Sequence, residues 1–315
     1  MKRVLTWIFL FALLSTACNN KKSVELKTKN MKSQLALSGD LNIPDAIFNY
    51  SAIGQGIPCI LFAGAENLDK NLLPEEFLKH FNVIGANADH LPEEVINKLT
   101  IDDILDDIER ARKYLEIDKV VVFGHSMFST LPLDYALKYP DNVRFTLLTG
   151  SAPAFNERYF QALDEYWESF ATPERKEIYQ SRMDSLMATD MTSLTLGEQF
   201  IKQYLAAAPK YFYNPTFDCS DAWKDVEVNM NFVDHYFGKL LSSRDNSEVY
   251  KSLSVPTLII SGKYDFACPH ILWDGIAEEI PTAKYVLFEN AGHNPMLEIP
   301  DEYTNTVLGW VESLK

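Results

Sequence analysis

Ser126, Asp265 and His293 each stand just past a short apolar run, in an order that acyl-transfer chemistry can use. The run before the serine is Val120-Val121-Val122-Phe123, then Gly124 and His125, and a helix-like segment starts at Met127. That pattern predicts a strand, a sharp turn and a helix, with a hydroxyl exposed at the turn. The backbone N–H of Met127 opens the helix and points at the same spot. A serine hydroxyl is a weak nucleophile at neutral pH. It needs a base beside it, and the base needs an acid to fix its tautomer. Ser261-Gly262-Lys263-Tyr264-Asp265 offers a carboxylate past one buried strand, and Asn290-Ala291-Gly292-His293-Asn294-Pro295 an imidazole past the last. None of the three is informative alone; the joint arrangement carries the reading.

The elements that must position them alternate. Strands are expected at Ile47–Ile53, Pro58–Phe62, Phe81–Gly85, Val120–Phe123, Val143–Leu148, Pro256–Ser261 and Lys284–Phe288. A short helix is expected at Glu75–Lys79. Ile101, Ile104, Leu105, Ile108, Ala111 and Leu115 follow a helical period, with Thr100 and Asp103 as a box-like start. Further helices are expected at Leu131–Leu137, Ile271–Ile280 and Glu302–Leu314. Such alternation means an α/β fold, a mostly parallel central sheet with helices on both faces. The ends of parallel strands share one edge, so the three side chains can converge there.

From residue 151 to 253 aromatic and charged residues are dense and strands give way to amphipathic stretches. Tyr159–Phe170, Pro173–Met187 and Leu196–Leu205 read as helices of an inserted cap, with Tyr211-Phe212-Tyr213 and Trp223 as an aromatic surface. The core is then 43–150 and 254–315.

After residue 46 nearly the whole chain resembles the α/β-hydrolase fold with a helical cap. The motifs are the elbow Gly124-His125-Ser126-Met127, the acid loop Gly262–Asp265, and the base loop Gly292-His293-Asn294-Pro295 running on to Glu298 and Pro300. The resemblance implies Ser126 as nucleophile, His293 as general base and then acid, and Asp265 as its orienter. It implies an oxyanion hole from the N–H groups of Met127 and Ala65. Within the fold, Trp223-Lys224-Asp225-Val226, Asn229-Met230 and His235-Tyr236-Phe237-Gly238 resemble caps of the proline iminopeptidase-like group. Three stretches depart from the family pattern. Phe128 replaces a Gly two residues after the serine, Ala63-Gly64 replaces His-Gly, and Asn87-Ala88-Asp89-His90 replaces Asp-x-Arg-Gly-x-Gly. The triad is left intact; the pocket shape is what these departures touch.

Residues 1–18 read as a signal peptide: Lys2 and Arg3, an apolar run from Val4 to Leu14, small residues, then Cys18. Leu14-Ser15-Thr16-Ala17-Cys18 resembles a bacterial lipobox, which implies lipidation at Cys18, export and a membrane anchor facing the periplasm. Residues 19–42 read as a polar tether. The formal charge is −15, and without Lys2 and Arg3 it is −17. So acidic a surface disfavours nucleic acid and anionic headgroups, leaving the anchor as the membrane contact. Cys59, Cys219 and Cys268 are odd in number and read as buried thiols. With no CxxC, HxH or HExxH, no metal or cofactor is expected.

The partner is expected to be a small-molecule or short-peptide substrate, an ester or a prolyl peptide. An aminopeptidase would need an acid to hold the substrate amine, and Glu157, Asp164, Glu165 and Asp234 are the candidates. Carbon–carbon bond hydrolysis or cofactor-free peroxidation on the same fold is a second reading. A non-catalytic lipoprotein that binds a ligand is a third.

Overall fold

The computed structural model describes residues 37–65, 67–242 and 244–314. The expected signal peptide, Cys18 and most of the expected tether lie outside the described residues.

Eight strands form one sheet: β1 (Gly39–Leu41), β2 (Asn49–Gly54), β3 (Ile57–Gly64), β4 (Phe81–Asn87), β5 (Val120–His125), β6 (Val143–Thr149), β7 (Thr257–Gly262) and β8 (Ala283–Phe288). Their spatial order is β1-β2-β4-β3-β5-β6-β7-β8. β1 and β2 pair antiparallel at one edge, and all pairings from β4 through β8 are parallel. Every residue of β4 and β7 is buried, as parallel strands covered on both faces require.

Alternate residues feed two cores. Val120 and Val122 face one with Ile104, Leu105 and Ile108 of the helix Ile101–Tyr114. Val121 and Phe123 face the other with Phe77, Tyr303 and Val307, the last two on the helix Pro300–Ser313. Full burial of each such side chain contributes roughly 1.5–3 kcal/mol. The expected start of the Ile101 helix is present. Asp103 N–H donates to Thr100 Oγ1 at 3.2 Å, and Thr100 N–H donates to Asp103 Oδ2 at 2.9 Å. Each satisfies a donor that the first turn would leave unpaired.

Two expectations need correction. The tether, expected to run to residue 42, contributes β1: Gly39, Asp40 and Leu41 are poor strand formers, and backbone pairing with β2 makes them a strand. The helix expected at Ile271–Ile280 is two 3₁₀ turns, His270–Trp273 and Ala277–Glu279. Gly275 between them has φ +75°, a left-handed conformation that ends a right-handed helix.

Between β6 and β7 lie the helices Glu157–Phe170, Pro173–Met187, Leu196–Ala206 and Met230–His235, the last running on as a π turn over Tyr236–Leu241. The only β pairing among the described residues of this segment is one bridge, Ala154 to Asp245. No helix among the described residues is long and apolar enough to cross a membrane.

Candidate active site

β5 delivers Ser126 into a turn with φ +55°. That backbone is uncommon for a residue with a Cβ, costs on the order of 1–3 kcal/mol, and concentrates at functional turns. The turn is tight. A Cβ on Gly124 would lie 2.7 Å from the Phe128 carbonyl oxygen and 2.8 Å from Pro132 Cδ, so the position two before the serine admits only glycine. Phe128, two residues after it, is accommodated because the chain leaves Ser126 as a 3₁₀ turn, Ser126–Phe128, before the helix Thr130–Lys138. Its ring turns into an aromatic cluster, 5.0 Å from Phe62 and 4.9 Å from Tyr236.

Asp265 and His293 meet past β7 and β8. Both are buried, and His293 Nδ1–H donates to Asp265 Oδ2 at 2.8 Å. The other oxygen, Oδ1, accepts from the backbone N–H groups of Ala267 (2.8 Å) and Cys268 (2.7 Å). This bonding leaves the proton on Nδ1 and the lone pair on Nε2, the arrangement a general base needs. Burial and the Asp265 charge push the Cys268 thiol well up, so the thiol beside the pair stays protonated. Asp265, Cys268 and His293 are the one cluster of metal-type donors among the described residues, and the bond between Asp265 Oδ2 and His293 Nδ1 already occupies two of its ligand atoms.

His125 packs against His293 with ring centroids 4.8 Å apart, and its Nε2–H donates to the His293 carbonyl at 3.2 Å. Burial, then the neighbouring imidazole, lower its pKa to about 3, so it stays neutral and acts as packing. Ser126 and His293 line one cavity of about 100 Å³ with Met127 and Ala65, the two expected oxyanion positions. Apart from His125 and Asn294, its other walls are apolar and aromatic, among them Phe62, Phe128, Phe200, Tyr204, Phe212 and Trp223.

Several side chains that hold the site carried no signal in the sequence. Arg175, on the helix Pro173–Met187, is buried. Its guanidinium donates to the carbonyls of Pro209 (2.6 Å), Phe212 (2.8 Å) and Tyr213. It also stacks over Tyr264 and Phe266 of the acid loop, at 5.3 and 5.4 Å. The segment it grips carries the Tyr211 carbonyl, which accepts the N–H of His293 at 2.6 Å. Tyr159 and Tyr166, on the helix Glu157–Phe170, donate their hydroxyls to the carbonyls of Ala267 and Lys263. Of the aromatic run, Phe212 lines the cavity while Tyr213 is exposed. A Cβ on Gly292 would lie 2.4 Å from the Tyr211 oxygen, so the base loop fits this segment only with glycine there.

Glu298 closes the arrangement. Its carboxylate accepts the N–H of Gly292 at 2.8 Å and of Tyr213 at 2.6 Å. Burial raises its pKa from 4.5 to about 7, against the pull of those donors. The folded state therefore holds this proton more tightly than the unfolded chain. The stabilisation is full below about pH 4.5 and lost as pH rises through about 7. Over that window this group alone should lower the unfolding free energy by up to about 3 kcal/mol. Urea unfolding at pH 5 and at pH 7.5 should show that fall in the wild type and not in Glu298→Gln.

Residues 80–300 match the alpha/beta hydrolase fold family. The chain belongs to that family. Among its relatives, the AB hydrolase superfamily protein YclE of Bacillus subtilis is 29% identical over 213 residues, covering 67% of this chain and 75% of YclE. A proline iminopeptidase of Saccharolobus solfataricus is 27% identical over 243 residues, 74% of this chain and 75% of that one. Among solved structures, an alpha/beta fold family hydrolase from Bacillus anthracis superposes with TM-score 0.65 at 22% identity, covering 88% of this chain and 99% of that one. At these identities the solved structures speak to the fold.

Proposed function

We propose that this alpha/beta hydrolase is a serine hydrolase working through an acyl-enzyme on a neutral ester with an apolar acyl group. The observation that carries the reading is the Asp265–His293 pair, bonded so that Nε2 is free, lining the same cavity as a serine held at positive φ. In the proposed cycle His293 Nε2 takes the proton from Ser126 Oγ as Oγ bonds to the acyl carbon. The oxyanion is held by the N–H groups of Met127 and Ala65, each such donor contributing about 3–4 kcal/mol in the transition state. Collapse breaks the ester C–O bond, and His293 returns the proton to the departing alkoxide. Water, deprotonated by the same imidazole, then releases the carboxylic acid and restores Ser126.

A prolyl peptide is the second reading, and the proline iminopeptidase among the relatives favours it. The cavity favours the ester. No carboxylate lines it among the described residues, and Glu157, Asp164, Glu165 and Asp234 are all exposed. An α-ammonium entering this lining would lose its hydration with no counter-charge to replace it. Export and a lipid anchor at Cys18 belong to the proposal and rest on residues 1–18 alone.

Pre-steady-state kinetics test it. A p-nitrophenyl ester should give a burst of nitrophenolate equal to the enzyme present, followed by slower turnover. Cleavage of a prolyl arylamide with no turnover of any ester would overturn the choice of substrate.

A further inference from the structure

The helices Pro173–Met187 and Leu196–Ala206 pack against each other on the side of the sheet that carries the active site. On the first, Met183, Leu186 and Met187 recur at spacings of three and four, so they share a face. On the second, Phe200, Gln203 and Tyr204 do the same, with Ala207 at its C-terminal cap. The two faces do not close on one another. With Met191 and Tyr211 they bound a cleft of about 420 Å³ that no charged side chain lines among the described residues. Met187 is 73% exposed at its rim.

Phe200 and Tyr204 belong to this cleft and to the catalytic cavity alike, so they form the wall between the two. Tyr204 is fixed: its ring stacks on Tyr211 at 4.2 Å, and its hydroxyl accepts from Asn294, next to His293, at 3.1 Å. Phe200 meets Trp223 edge-on at 5.9 Å. The catalytic cavity, at about 100 Å³, is small. An apolar protein cavity of about 150 Å³ takes one benzene ring. A long acyl chain whose carbonyl sits at Ser126 must therefore leave the cavity.

We propose that the acyl tail passes Phe200 and lies along the methionine-lined cleft, which makes the enzyme selective for linear acyl chains of about eight carbons or more. Methionine suits that occupant, being unbranched and able to repack around a flexible chain. The cleft adjoins the catalytic cavity across Phe200 and Tyr204, and that adjacency singles out the substrate's own tail from other apolar occupants. This rests on the serine hydrolase reading above and adds the chain length to it.

The test is kcat/KM of the full chain for p-nitrophenyl acetate, butyrate, octanoate and decanoate, each below its aggregation limit. Each methylene that leaves water is worth about fourfold. The octanoate-to-acetate ratio should reach at least a hundredfold. Met187→Asp puts a charge at an exposed rim position that folding tolerates, and Ala207→Trp fills the cleft. Each should lower that ratio at least tenfold. A profile highest at acetate or butyrate overturns the inference, as does an unchanged ratio in both variants. In the latter case, sedimentation showing a dimer that Met187→Asp dissociates would assign the cleft to a second copy of the chain. Failure of every ester, together with no labelling by a fluorophosphonate, would remove the serine hydrolase reading and this inference with it. Turnover of acetate with a flat profile would remove the inference alone.

Discussion

Ser126→Ala is expected to lower kcat for ester hydrolysis on the order of 10⁶-fold, to the residue that binding and the oxyanion donors supply without a nucleophile. The loss is this large because, in the proposed mechanism, serine, histidine and aspartate act as one unit. Once Oγ is gone, the Asp265–His293 bond has nothing to activate. The same position tests the strain in the turn. At φ +55° a glycine sits without penalty, so Ser126→Gly is equally inactive and about 1 kcal/mol more stable than Ser126→Ala. Steady-state kinetics and thermal unfolding of the two variants check both halves.

Asp265→Asn is expected to cost on the order of 10⁴-fold in kcat, with the fold retained. The reason lies in the local hydrogen bonds. Oδ1 faces two backbone N–H donors, those of Ala267 and Cys268, so this position must remain an acceptor. The asparagine amide oxygen must occupy it, and the NH₂ group is forced toward His293 Nδ1. Two donors cannot share that contact, so the imidazole gives up its Nδ1 proton and carries it on Nε2. The base is then already protonated where it must accept. Kinetics, read beside an unchanged far-ultraviolet spectrum, separate this tautomer effect from simple unfolding.

The residues proposed to carry the chemistry were picked out in the sequence because each sits in a short local motif. A run of β-branched residues feeding Gly124-His125-Ser126 specifies strand and turn within a few positions, and Asp265 and His293 follow strands that read as plainly. The long helices of the cap were legible by their period and their caps, such as Thr172 and Thr195. What holds the site was not. Arg175 grips carbonyls 34 to 38 residues away, and Glu298 bonds the N–H of Tyr213 across 85 residues. Such partners are backbone atoms, and a backbone carbonyl or N–H looks the same in every residue type. β1 was missed for the opposite reason: its three residues have no strand preference, and pairing with β2 alone orders them. The 271–280 segment kept an apolar period that suggested a helix, while Gly275 at φ +75° divides it. Phe128 stood out as a departure from the family pattern. Only the packing of its ring against Phe62 and Tyr236 explains how the turn tolerates it.

The most direct measurement is mass mapping of the folded protein after reaction with a fluorophosphonate. One phosphonyl group per chain is expected, on Ser126, absent from Ser126→Ala and formed far more slowly in His293→Ala. A folded wild-type chain that takes up no label, or one that carries it on any other residue, would contradict it.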